Sequence, residues 1–165
     1  MEPTVGPHFR IEPARTAREL DAVRELFAAY AASLPVELDY QDFGSEIADL
    51  PGKYAPPGGE LLLAWGAGER PVACIGLRPL EAGKTCEMKR LYVVPEARSF
   101  GLGKALTDAV IELARQRSYS TLRLDTLPTM ATAARLYETR GFREIDAYYG
   151  PVPAGTIFME LDLRR

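Results

Sequence analysis

The stretch "MKRLYVVPEARSFGLGKAL", residues 88–106, decides the fold. Leu91, Tyr92, Val93 and Val94 form a β-prone run that Pro95 ends. Gly101 and Gly103 then stand one residue apart where Leu102 and Leu106 open an apolar helical stripe, continued by Val110, Leu113 and Ala114. A strand that turns through glycines into a helix suits an anion. Without Cβ atoms the backbone turns tightly, several N–H groups point at one place, and the helix adds its positive end.

Three phosphate-binding patterns compete for this turn. A nucleoside-triphosphate loop needs Gly where Arg98 stands and Ser or Thr where Ala105 follows Lys104, so it fails twice. A dinucleotide fingerprint needs a third Gly at Leu106 and an acidic residue closing the next strand, and the chain offers neither. What remains is a short pyrophosphate turn, Arg-x-x-Gly-x-Gly, from Arg98 to Gly103. Two glycines alone also fit a plain tight turn, so the surroundings must decide.

Upstream, "TARELDAVRELFAAYAASL" (16–34) sets Leu20, Val23, Leu26, Phe27 and Tyr30 at helical spacing behind a Thr16 cap, and Pro35 closes it. A short helix is expected within "YQDFGSEIADLPGKY" (40–54), with a turn at 56–59. Strands follow at 60–65, in "PVACIGLRPL" (71–80) and in "TCEMKRLYVV" (85–94), the last two joined through Glu81-Ala82-Gly83. Downstream, "YSTLRLDTL" (119–127) reads as a strand broken by Pro128, and "MATAARLYETR" (130–140) as a helix stopped by Gly141. "FREIDAYYG" (142–150) and "GTIFMELDL" (155–163) read as two closing strands. Helices, an antiparallel meander and then β-α-β-α-β-β make one α/β (α+β) domain over residues 1–165, with a mixed sheet.

"MKRLYVVPEARSFGLGKAL", "LDTLP" (124–128) and "AARLYETRGF" (133–142), in this order and spacing, resemble the GNAT superfamily of acyl-CoA-dependent N-acetyltransferases. The ending "YYGPVPAGTIFMEL" (148–161) resembles a subgroup of small bacterial members of unassigned substrate. The resemblance covers the whole order of elements. It implies a mostly antiparallel central sheet of about seven strands flanked by helices, with a splayed strand pair for CoA. It also implies that the pyrophosphate of acetyl-CoA, the acyl donor, rests on the turn from Arg98 through Ser99, Phe100, Gly101, Leu102 and Gly103 to Lys104. The pantetheine arm would pair with the backbone of Leu91, Tyr92 and Val93. Two departures stand out: many members carry Gly at Phe100 and Asn at Met130, and Met130 cannot make the polar contact of that Asn.

Acetyl transfer to an amine needs a base for the ammonium proton and an acid for the departing thiolate. Glu87 is the first candidate base. Alternation along the strand sets Glu87, Lys89, Leu91 and Val93 on one face, with Glu87 ~20 Å from Val93. It precedes Arg98 by eleven residues, a spacing at which some family members carry a catalytic glutamate. The plainer role is an exposed strand carboxylate paired with Lys89 or Arg90. Asp125 is the alternative base, pointing into the cleft while Leu122 and Leu124 face away; it equally suits a turn ahead of Pro128. Tyr137 matches the family tyrosine at the sulfur, and would otherwise be helix packing. Of Tyr148 and Tyr149, strand alternation lets only one line an acceptor site. The segment from Tyr40 to Tyr54 is the other expected acceptor wall. His8, the single histidine, receives no role.

Composition sets the limits. A net charge of −3 and a pI near 5.3 argue against nucleic acid as partner. No apolar run approaches a membrane span, and the N-terminus lacks the pattern of a secretory signal. Cys74 and Cys86 suit neither a disulfide framework nor a metal site, so no metal and a cytoplasmic location are expected. Lys84, Lys89 and Arg90 precede Arg98 and Lys104; each alone reads as a solvated strand or loop residue, and together they suit a small polyanionic ligand. The expected partners are acetyl-CoA and a small amine or amino-acid-like acceptor, and a homodimer is compatible with the chain. The other readings are a non-catalytic acyl-CoA-binding module of the same fold and, last, a phosphotransferase.

Overall fold

The computed structural model describes residues 4–5, 9–80 and 83–164; Glu81, Ala82 and His8 fall outside them. The strands are β1 (Thr4–Val5), β2 (Phe9–Pro13), β3 (Glu60–Gly66), β4 (Arg70–Pro79), β5 (Thr85–Val93), β6 (Thr121–Thr126), β7 (Arg143–Ile145) and β8 (Ile157–Asp162). They form one sheet in the order β1-β2-β3-β4-β5-β6-β8-β7, whose body is the seven strands beyond the two-residue β1. Every pairing is antiparallel except β5 with β6. The expected mixed, mostly antiparallel sheet of about seven strands is what forms.

Helix α1 (Ala17–Ser33) starts as its sequence dictates. Thr16 Oγ1 accepts from Glu19 N at 3.2 Å, and the Glu19 carboxylate accepts from Thr16 N at 2.8 Å. Val23, Leu26 and Phe27 bury against Leu61, Leu63 and Tyr54 on one face of the sheet, where the short α2 (Phe43–Ala48) also lies. On the other face α3 (Leu102–Gln116) buries Leu102, Leu106 and Val110, and α4 (Ala131–Thr139) buries Tyr137. Each fully buried leucine is worth ~1.5–3 kcal/mol, so the two stripes set how the helices lie. Among the described residues, no helix is long and apolar enough to cross a membrane.

Two strand expectations need correction. Phe9–Pro13, given no element by its sequence, pairs antiparallel with β3, Arg10 opposite Trp65. Its five residues carry charge at Arg10 and Glu12, and only the edge of β3 makes a strand of them. Conversely, "FREIDAYYG" is strand only over Arg143–Ile145; Tyr148 and Tyr149 lie in the connection to β8.

Candidate active site

Strands β5 and β6 pair only at Thr85–Thr121, Cys86–Leu122 and Glu87–Arg123, and then separate. Beyond that point β5 bonds β4 alone and β6 bonds β8 alone, so each presents an unpaired backbone edge to the gap. The splay opens a cleft of 790 Å³ walled by Leu91, Tyr92 and Val93 on one side and by Leu124, Asp125 and Thr126 on the other. Helix α4 contributes Tyr137, and the glycine turn closes one end with Arg98, Ser99, Gly101, Leu102, Gly103 and Lys104.

The turn is made as its glycines require. Ser99 and Gly101 both take positive φ, 78° and 80°. Gly101 caps α3, whose first backbone bond within the helix is Ala105 N to Gly101 O at 3.0 Å. The amides of Leu102, Gly103 and Lys104 therefore lie ahead of the helical ladder, at its positive end. A Cβ on Gly103 would meet no protein atom within 4 Å. Arg98 Nε donates to Val93 O at 3.0 Å and ties the turn to the strand. Arg135 and Arg140 add positive charge to the cleft wall. These residues fit an acyl-CoA: bare amides and cations for phosphates, and an unpaired strand edge for amides of the arm. Phe100 alone turns its side chain away, exposed and set against Phe9 at 5.3 Å. Met130 lines the cleft where the family carries Asn, and its sulfur takes the Thr126 hydroxyl at 3.6 Å.

A bulge in β5 corrects the expected alternation. Cys74 stands opposite Tyr92 but Gly76 opposite Lys89, so β5 carries one extra residue there. Arg90 holds a left-handed φ of 65°. Its guanidinium grips Glu46 with two bonds of 2.9 Å and lies over Phe43 at 5.1 Å. Tyr54 donates to the same carboxylate at 3.0 Å, and its ring needs Gly76: a Cβ there would sit 2.6 Å from it. Past the bulge Leu91 and Val93 join the α3 face, so they do not share a face with Glu87 and Lys89.

Glu87 and Lys89 instead enter a buried charged cluster on the α1 side. Glu87 is 1% exposed, accepts from Arg78 Nε at 2.9 Å and from the Tyr148 hydroxyl at 2.5 Å, and lines none of the described cavities. The sequence-based alternative for Glu87, an exposed carboxylate paired with Lys89 or Arg90, holds for the Lys89 pairing at 3.9 Å, but Arg78 is nearer and the carboxylate is buried. Burial beside that carboxylate pushes the Tyr148 phenol well up. Asp125 takes Lys89 Nζ at 3.5 Å on one oxygen, and Gln41 Nε2 at 3.2 Å with the Tyr149 hydroxyl on the other. Both tyrosines thus reach the cluster, against the expectation of one, because the connection carrying them is not a strand. Desolvation lowers the Lys89 pKa, with Glu87 and Asp125 opposing it.

Asp125 and Lys89 line both the cleft and a small void of 30 Å³ beyond it, shared with Tyr30 and Gln41. They stand where the two faces of the sheet communicate. Tyr137 is 6% exposed; desolvation raises its pKa, with Tyr30 and Asp125 adding to the rise. Across the sheet, Arg78, Glu87, Arg123, Glu160 and Arg143 occupy one register row on β4, β5, β6, β8 and β7, alternating in sign. Sequence reasoning missed Arg78, Gln41 and the central place of Lys89, although Glu87 and Lys89 two apart on a strand were a signal.

The model of the acetyltransferase (GNAT) family matches residues 20–142. An uncharacterized N-acetyltransferase of Schizosaccharomyces pombe is 33% identical over 159 residues, covering 96% of this chain and 97% of its own. A GNAT-family acetyltransferase from Staphylococcus aureus superposes with a TM-score of 0.78 at 21% identity, over 94% of this chain and 99% of its own. An acetyltransferase from Salmonella typhimurium, solved with acetyl-CoA, superposes at 0.68 with 20% identity, over 95% of each chain. With the glycine turn, the strand splay and this likeness in agreement, the chain belongs to the GNAT family and is an acyl-CoA-dependent N-acetyltransferase.

Proposed function

We propose that the protein transfers the acetyl group of acetyl-CoA to the primary amine of a small or amino-acid-like acceptor, by direct attack. The observation that carries this reading is the position of Asp125. Its carboxylate belongs at once to the cleft that fits the donor and to the void on the opposite face, where an acceptor would arrive.

The acceptor's ammonium, with a pKa near ~10, must lose a proton before its nitrogen can bond the thioester carbon. Of the two candidate bases, Asp125 is favoured to receive that proton, directly or through a water, because Glu87 lies behind it. Glu87 then acts as a positioning residue: with Asp125 it holds Lys89 between two carboxylates at 3.9 and 3.5 Å. As the C–N bond forms and the C–S bond breaks, charge collects on sulfur. The Tyr137 hydroxyl, kept protonated by burial, hydrogen-bonds that sulfur and gives up its proton. The apolar wall that raises the phenol raises the thiol too, so the transfer is not opposed by the phenol's shift alone.

The Leu102–Lys104 amides, with Arg98, would hold the pyrophosphate, and the backbone of Leu91–Val93 the arm. Thiol release from acetyl-CoA, measured across a panel of primary amines, tests the reading. Turnover with at least one small amine is expected. CoA binding without turnover on any amine overturns it.

A further inference from the structure

The charged cluster continues beyond Glu87 to a second cavity. Arg78 uses Nε on Glu87 and also lines a cavity of 200 Å³ on the α2 side, with Asp42, Asp49, Lys53 and Tyr54. Its two terminal nitrogens make no hydrogen bond with any described residue. Gln41 lines both this cavity and the small void at Asp125. A chain of contacts joins the two ends: Arg78 to Glu87 at 2.9 Å, Glu87 to Lys89 at 3.9 Å, Lys89 to Asp125 at 3.5 Å.

We infer that Arg78 is a specificity residue whose terminal guanidinium nitrogens bind the carboxylate of a zwitterionic α-amino acid. The inference rests on the acetyl-transfer reading and names the acceptor class for it.

Three observations carry it. A guanidinium fixed at Nε keeps its outer edge in one orientation, and two parallel N–H donors match a carboxylate in geometry and charge. The cavity is dipolar: Arg78 and Lys53 share it with Asp42 and Asp49, while the carboxylate of Glu46 is committed to Arg90 and Tyr54. A simple anion would meet the two aspartates, and a simple cation the arginine; a molecule carrying both charges satisfies both. The volume is that of a small amino acid rather than of a peptide segment. With the carboxylate on Arg78, Asp42 and Asp49 face the ammonium of the same molecule, and Gln41 joins this cavity to the void at Asp125.

The test compares α-amino acids with their α-carboxamides, which keep the amine and side chain but lose the negative charge. On the wild-type protein, thiol release from acetyl-CoA should favour the acid over its amide by ~10²-fold or more in kcat/KM, since a built hydrogen-bonding site rejects analogues that leave it unpaired. In Arg78→Gln that ratio should collapse toward 1, chiefly through a higher KM for the acid. A fall in kcat common to both probes reports only the loosened Glu87, which is why the ratio is read. Amides accepted as well as acids, or a ratio that survives Arg78→Gln, overturn the clamp and leave acetyl transfer standing. No thiol release with any acid or amide, in a protein that turns over another primary amine, overturns the clamp alone; CoA binding without turnover on any amine overturns both.

Discussion

The cleft and the charged cluster behind it share strand β5, yet they are built from different material. The cleft is backbone: the amides at the start of α3 and the strand edge left bare where β5 leaves β6. Its residues come almost wholly from two stretches, 88–104 and 124–140. The cluster is side chain: Gln41, Arg78, Glu87, Lys89, Asp125, Tyr148 and Tyr149 come from distant parts of the sequence. A site made of backbone binds what every family member binds. A site made of long-range ion pairs is where members can differ.

The sharpest way to break this division is to remove one carboxylate at a time. Asp125→Asn should lower kcat by ~10²- to 10⁴-fold while CoA affinity stays near wild type, because the lost function is proton transfer rather than donor binding. Glu87→Gln should cost less, ~10-fold, through a displaced Lys89. Steady-state thiol release beside a CoA titration reads both. An inactive Glu87→Gln with a near-normal Asp125→Asn would return the base to Glu87. Tyr137→Phe comes next: a kcat loss of roughly 10- to 10³-fold, with an unchanged thermal melt and nearly normal acetyl-CoA binding. Full activity in the Phe variant would assign the thiolate's proton to water.

The same division explains what could be read in advance. Thr16 with Glu19, the Pro95 stop, Gly101 and Gly141 act within a few residues, so α1, the glycine turn and α4 were legible. The bulge was not. A left-handed arginine inside a strand has no local signature, and Arg90 holds its φ because Glu46, 44 residues away, takes its guanidinium. The faces of Leu91 and Val93 were misassigned for that reason alone. Tyr148 and Tyr149 were read as strand because aromatic residues favour strands, whereas Glu87 and Asp125 draw both hydroxyls into one cluster. Lys89 and Arg90, which singly read as solvated strand residues and together with their neighbours as suited to a polyanion, are buried instead and pair with Asp125 and Glu46.

On the backbone side, Gly103→Val is a cleaner probe than a change at Gly101. Gly101 has a φ of 80°, so a side chain there strains the turn as well as the site. Gly103 has no such constraint, and its missing Cβ faces open space. Valine at 103 should leave a folded protein, since valine is no poorer a helix former than glycine. It should weaken CoA binding by ~10-fold or more, which is ~1.4 kcal/mol, because the methyl groups stand where phosphate must approach. Calorimetric titration with CoA measures it; unchanged affinity would remove the pyrophosphate from this turn.

The smallest effect belongs to Phe100, the residue that departs from the family's glycine. Its amide lies in the turn, but its ring leans on Phe9 of β2, 5.3 Å between centroids, and stays about half exposed at 49%. The side chain therefore fastens the turn to β2 without entering the cleft. Phe100→Ala removes that contact and keeps the backbone's allowed conformations close to the original. A tilted aromatic pair is worth ~0.5–1.5 kcal/mol beyond its buried area, and an exposed one falls at the low end. The variant should lose about that much stability in a denaturant titration, while its affinity for CoA stays within about twofold, well under one 1.4 kcal/mol decade. A larger loss of affinity would mean that the ring touches the nucleotide, and that the cleft is not built from backbone alone.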